Sequence, residues 1–121
     1  MARILVADDQ PLIRHSIKQT LAELGHEVTE AVNGVEALKK IETNKPDLII
    51  LDVMMPEMNG QQVCRRIKSD PESKSLPVIL MTAPWTSMDE WLALETSSAD
   101  RFLAKPFDSA ALKKLIEELL A

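Results

Sequence analysis

The sequence predicts a doubly wound α/β fold: five strand–helix repeats, (βα)5, forming one parallel sheet with helices on both faces. Three observations predict it. Short apolar runs alternate with helical patterns along all 121 residues, the signature of βα units rather than hairpins. Four of the runs are apolar without alternation, as strands buried on both faces must be. Four of them end in Asp8-Asp9, Asp52, Thr82 and Lys105, and open parallel sheets bind ligands beyond the carboxyl ends of their strands.

Taken in order, the first strand is read over 3–7, through Ile4-Leu5-Val6-Ala7. Ile13, Ile17, Leu21 and Leu24 mark the helix after it, and Gly25 sits where a C-terminal cap belongs. A second strand over 27–31 leads through Asn33-Gly34 into a helix marked by Val35, Leu38 and Ile41. The third strand, 47–51, carries Leu48-Ile49-Ile50-Leu51, and Val63, Cys64 and Ile67 mark a helix after Asn59-Gly60. Residues 69–76 read as a polar loop. The fourth strand, 77–81, precedes a fourth helical pattern at Met88, Trp91 and Leu92. The fifth, 100–104, precedes a last helix marked by Leu112, Leu115, Ile116 and Leu119, with Asp108 or Ser109 as its N-cap. Right-handed crossovers restrict the topology. A strand order of 2-1-3-4-5 sets strands one and three side by side at a switch point and gathers Asp8, Asp9 and Asp52.

Residues 1–121 fit one domain with a core that needs no disulfide or metal staple. The net charge of −5 argues against nucleic acid as a direct partner, because phosphate binding needs clustered Lys and Arg. Cys64, the one cysteine, excludes an internal disulfide and reads as a small half-buried hydrophobe on the third helix. There is no signal-peptide pattern, and no apolar run approaches the ~20 residues of a membrane span. The expectation is a cytoplasmic protein with no membrane partner. His15 and His26 read as surface residues, and Lys113-Lys114 with Glu117-Glu118 as a solvated helix face.

Each polar position has a plain structural reading. Asp8-Asp9 ahead of Gln10-Pro11 could cap the first helix. Asp52 could be a loop carboxylate, and Thr82 could bond locally. Lys105 could be solvated, although its place between a strand end and Pro106 argues against it. At one sheet edge they read differently. Three converging carboxylates repel one another unless a positive charge sits among them. Mg²⁺ meets that need, because it prefers oxygen ligands, takes one or two protein carboxylates and keeps waters that a phosphoryl group can replace. With Lys105 and the Thr82 hydroxyl, these are the parts that phosphoryl transfer to an aspartate requires.

The chain resembles the receiver domain of a two-component response regulator, from Ile4 to Leu120. The carrying residues are Asp8-Asp9, Asp52 within Leu-Asp-Val-Met-Met-Pro-Glu-Met-Asn-Gly, Thr82-Ala83 and Phe102-Leu103-Ala104-Lys105-Pro106-Phe107. The resemblance implies the flavodoxin-like fold of that family. It implies Asp52 as phospho-acceptor from a histidine kinase or phosphotransfer protein. It implies Mg²⁺ held by Asp9 directly, by Asp8 mainly through water, by Asp52 and by the backbone carbonyl of Met54. Thr82 would swing toward the phosphoryl group with Phe102 following it inward, and Lys105 would pair with a phosphoryl oxygen. The Lys105-Pro106 bond is cis in the family. A downstream target would read the face formed by the fourth helix, fifth strand and fifth helix, because the phosphoryl charge shifts the population between two packings of the loops after strands four and five.

The chain departs from the family pattern in places. Ser98 stands where Gly is common, at a cost of about 1 kcal/mol if the backbone there has positive φ. Pro84 fixes φ and removes an amide donor in the loop after Thr82, which bears on the amplitude of the switch. Met54 and Pro84 offer no polar side chain to orient water on the phospho-aspartate, so slow self-dephosphorylation is expected. Trp85 and Trp91 stand out in a chain poor in aromatics, and one of them is a candidate partner contact, against the alternative that Trp91 packs inward with Met88 and Leu92.

Competing functions fare less well. A pseudo-receiver that binds partners without phosphorylation has no need of the intact Asp8, Asp9, Asp52, Thr82 and Lys105. A phosphatase of the haloacid dehalogenase type would place a second Asp where Met54 stands. An FMN carrier would want a Ser/Thr/Gly-rich loop after the first strand. The expectation is therefore a phosphoprotein that modifies itself rather than an enzyme with external turnover. No output domain is expected in 1–121, which leaves a stand-alone receiver or a part of a longer regulator.

Overall fold

A computed structural model describes residues 1–83, 87 and 98–121. The fourth helical pattern at Met88, Trp91 and Leu92 lies outside these residues, as do Pro84 and Trp85. The described elements run β1 (Arg3–Ala7), α1 (Pro11–Glu23), β2 (Glu27–Ala31), α2 (Gly34–Asn44), β3 (Leu48–Asp52), α3 (Gly60–Ser69), β4 (Val78–Thr82), β5 (Arg101–Ala104) and α4 (Ser109–Leu120). The strands form one parallel sheet in the order β2-β1-β3-β4-β5, as the alternation of elements predicts.

Strand alternation divides the core in two. Leu5, Ala7, Ile49, Leu51, Val78 and Leu80 face α2 and α3, where they meet Ala37, Ile41, Val63, Cys64 and Ile67. Ile4, Val6, Leu48, Ile50, Ile79 and Met81 face α1 and α4 and meet Ile17, Leu21, Leu112 and Ile116. β3 and β4 are buried along their whole length, which explains their unbroken apolar runs, whereas edge strand β2 is only partly covered.

The helix ends follow from local chemistry. Pro11 opens α1, where its missing N–H costs nothing. Gly25 closes that helix at φ 84 in a Schellman arrangement, its N–H on Ala22 O and the His26 N–H on Leu21 O. Asn33 caps α2 by accepting from Glu36 N, and Asp108 caps α4 by accepting from Ala111 N. Asn59 and Gln62 form a reciprocal capping box at α3. The Lys68 ammonium (side chain 14% exposed) binds the Asp100 carboxylate at 2.8 Å and the Leu76 carbonyl at 2.6 Å, which pins the 69–76 loop to the start of β5.

Several details correct the sequence reading, and others bear it out. β3 and β4 each extend one residue further than the apolar runs, so Asp52 and Thr82 are strand residues paired in the sheet. Val35 is 36% exposed, and Gly34, Ala37 and Ile41 form the buried seam of α2 instead. Cys64 is fully buried rather than half-buried, because β3 and β4 close over α3 at that point. His26 is half-buried, and its Nδ1 accepts the Ala2 N–H at 3.1 Å. Ser98 does have positive φ, at 67°. The Lys105-Pro106 bond is cis. Among the described residues, no helix is long and apolar enough to cross a membrane.

Candidate functional site

Strand register assembles the site. Ala7 of β1 pairs with Leu51 of β3, so Asp8 and Asp52, each one residue further on, lie level. Asp52 pairs with Met81, and Thr82 pairs with Ala104, so Thr82 and Lys105 come next along the same edge. Asp8 is fully buried, Asp52 is 5% exposed and Thr82 1% exposed, whereas Asp9 is exposed. Carboxylate oxygens of Asp8, Asp9 and Asp52 lie within 4.8 Å of one another.

Lys105 holds the buried pair together. Its Nζ lies 2.9 Å from Asp8 Oδ2 and 3.2 Å from Asp52 Oδ2. Asp8 Oδ1 accepts the Gln10 N–H at 2.8 Å, so this side chain organises the β1–α1 loop and the N-cap position falls to Gln10. Asp52 Oδ1 accepts the Met54 N–H at 3.3 Å. The β3–α3 loop returns against the strand it leaves: a Cβ on Gly60 would lie 2.3 Å from the Asp52 carbonyl oxygen, so only glycine admits that approach.

Burial is the largest influence on Asp52, and with the nearby Asp8 charge it pushes the carboxyl up to about 6, against partial relief from Lys105 and the Met54 N–H. Burial would pull the Lys105 ammonium down. The hydrogen bonds and charges of Asp8 and Asp52 outweigh it, and Lys105 stays cationic, raised above its ordinary value.

The donor set fits a hard divalent cation. All three side chains offer carboxylate oxygens, their spacing allows one ion to reach each of them, and a single ammonium leaves the cluster negative. A cavity of about 430 Å³ opens onto it, lined by Asp9, Asp52, Met54, Ala83 and Lys105 among others. Met54 is 62% exposed at its rim. Among the described residues, the buried Thr82 Oγ1 has no hydrogen-bond partner. A buried hydroxyl left unpaired is costly, and Thr82 lies behind the cavity rather than among the residues that line it. Phe102, on β5 beside β4, is half-buried against the α2–α3 side of the core.

The structure thus brings Asp8, Asp9, Asp52 and Lys105 together, with Thr82 next along the edge. Groups that the sequence reading passed over also touch the site. The Gln10 and Met54 amides donate to its carboxylates, and Arg14 Nη1 donates to the Asp8 carbonyl at 2.7 Å. Backbone donors carry no sequence signal. Arg14 carried a faint one, as a charged residue next to Ile13 on the inward side of α1.

Residues 4–117 match the family model of the response regulator receiver domain. The response regulator MprA of Mycobacterium sp. (strain KMS) is 42% identical over 119 residues, which cover 98% of this chain and 47% of that protein. The chain therefore spans about half the length of the curated relatives it matches. Among solved structures, the signal receiver domain of a signal transduction histidine kinase from Syntrophus aciditrophicus superposes with a TM-score of 0.95 at 34% identity, over 99% of this chain and 90% of that one. The receiver domain of the sensor histidine kinase PA1611 from Pseudomonas aeruginosa has a TM-score of 0.90 at 27% identity, over 98% of this chain and 97% of that one. That structure has a magnesium ion coordinated in its active-site cleft.

Proposed function

The chain belongs to the response regulator receiver family of two-component signalling, and on that premise we propose that residues 1–121 act as one receiver domain phosphorylated on Asp52. The observation that carries this reading is the Lys105 ammonium held between Asp8 and Asp52 at the mouth of a cavity. Asp8, Asp9, Asp52 and the Met54 backbone carbonyl would hold Mg²⁺, whose contribution there is to neutralise charge on the phosphoryl oxygens. An Asp52 carboxylate oxygen attacks phosphorus as the N–P bond of a phosphohistidine donor breaks. The donor imidazole leaves and takes up a proton. Lys105, already 3.2 Å from Asp52 Oδ2, pairs with a phosphoryl oxygen. The donor is a histidine kinase or phosphotransfer protein, and the chemistry stays on Asp52 rather than turning over an external substrate.

The switch is read from Thr82. Its hydroxyl, without a partner among the described residues, swings toward the cavity to reach a phosphoryl oxygen, and Phe102, on the neighbouring strand, moves inward with it. A target protein reads the face of β5 and α4; the fourth helical pattern expected beside them lies outside the described residues.

Incubation with Mg²⁺ and acetyl phosphate followed by intact-mass measurement tests the reading, with Asp52→Asn alongside. The expected result is one phosphoryl group on the parent and none on the variant. Unmodified parent after incubation with a cognate kinase as well would point to a module that acts without phosphorylation. The decay of the same species tests the rim position: with Met54 unable to orient water, the phosphoryl group persists for minutes or longer, and Met54→Asn shortens its life about tenfold.

A further inference from the structure

Arg14 makes two contacts in different directions. Nη1 donates to the Asp8 carbonyl oxygen at 2.7 Å, and Nε donates to Glu30 Oε1 at 3.3 Å. Its side chain is 15% exposed. The Asp8 carbonyl belongs to the peptide that joins Asp8 to Asp9, so Arg14 grips the link between two of the three clustered carboxylates. β2 holds the same loop from the other side, where the Ala31 carbonyl accepts the Asp8 N–H at 3.1 Å. Glu30 is itself anchored: Lys18 Nζ lies 3.5 Å from its other carboxylate oxygen, and Lys40 Nζ binds its backbone carbonyl.

We infer that Arg14 is a positioning residue for the cation site, fixing the Asp8–Asp9 peptide so that both carboxylates point at one ion. The inference rests on the proposed Mg²⁺ site. Geometry and charge predict opposite signs here. Removing a cation beside an acidic cluster strengthens Mg²⁺ binding if charge alone matters. Removing the contact that orients the ligands weakens it.

Calorimetric titration of Mg²⁺ into the parent, Arg14→Met, Arg14→Lys, Lys18→Met and Asp9→Asn decides the point, with thermal melts in chelator to check folding. Arg14→Met is expected to bind Mg²⁺ about tenfold more weakly or worse. Arg14→Lys is expected to weaken binding too, because one ammonium does not reproduce the planar fork that reaches both acceptors. Lys18 contacts the same Glu30 carboxylate but is 53% exposed; Lys18→Met should stay within about twofold of the parent. Parent-like or tighter binding by Arg14→Met overturns the inference, as does full affinity in Arg14→Lys. If Arg14→Met does not fold, Arg14→Lys against Lys18→Met carries the test. A parent that binds no Mg²⁺, or whose binding survives Asp9→Asn, overturns the proposed site itself and the inference with it.

Discussion

At Asp52, burial and the neighbouring Asp8 carboxylate oppose ionisation, and the carboxyl rises from an ordinary 3.8 to about 6. The native state therefore binds this proton more tightly than the unfolded chain does. Its contribution to stability is full below pH 3.8 and is lost as pH rises through about 6. Replacing the carboxylate by an uncharged amide removes the cost of ionisation. In chelator, Asp52→Asn should be more stable than the parent at pH 7–8, by about 1–3 kcal/mol, and the gain should vanish near pH 4. Thermal melts across that range check both magnitude and direction. A gain that grows toward acid pH would contradict the assignment. The residue types at this site were legible in sequence because each follows an apolar run. The proton affinity of Asp52 was not, because it depends on how deeply the fold buries it.

At the scale of elements, the loops carry the strain and the strands carry the register. Gly60 begins α3 where its missing side chain faces the Asp52 carbonyl. Asn59-Gly60 looked from sequence like a helix entry, and it is one, but the demand for glycine comes from β3 across the loop. Gly60→Ala should cost about 2–3 kcal/mol through forced overpacking and should lower the yield of phosphorylated Asp52. Urea unfolding and intact mass measure the two effects separately. Ser98 holds φ 67° ahead of β5, a conformation that L-residues adopt at a cost. Ser98→Gly should therefore raise stability by about 1 kcal/mol without changing Mg²⁺ affinity. The second-helix seam was misread at Val35 because the Ala37–Ile41 face meets the sheet, and periodicity alone does not choose between adjacent faces of a short helix.

At the scale of the whole molecule, a site drawn from β1, β3, β4 and β5 would link the proposed metal binding to global stability. A cation bound to the native cluster and not to the unfolded chain stabilises by about 2.7 kcal/mol at a hundredfold excess over its dissociation constant. For a domain of this size that is a rise in melting temperature of about 10 °C. Mg²⁺ should produce such a shift at pH 7, Asp9→Asn should abolish it, and the shift should shrink below pH 6 as Asp52 takes up its proton. Scanning calorimetry at several Mg²⁺ concentrations checks all three.

The sequence by itself determined the alternation of strands and helices, the burial of β3 and β4, the helix entries at Asn33-Gly34 and Asn59-Gly60, a last-helix cap at Asp108 or Ser109, and the identity of the polar residues that end the strands. These are local properties, set by periodicity and by short-range hydrogen bonding that neighbouring residues encode. Only the tertiary structure decided that Lys105 sits between Asp8 and Asp52, that Thr82 Oγ1 is left without a partner among the described residues, and that Arg14 grips the Asp8–Asp9 peptide. Lys105 is 97 residues from Asp8. Parallel register across four strands brings them within a hydrogen bond of each other, and no pattern local to either residue records it.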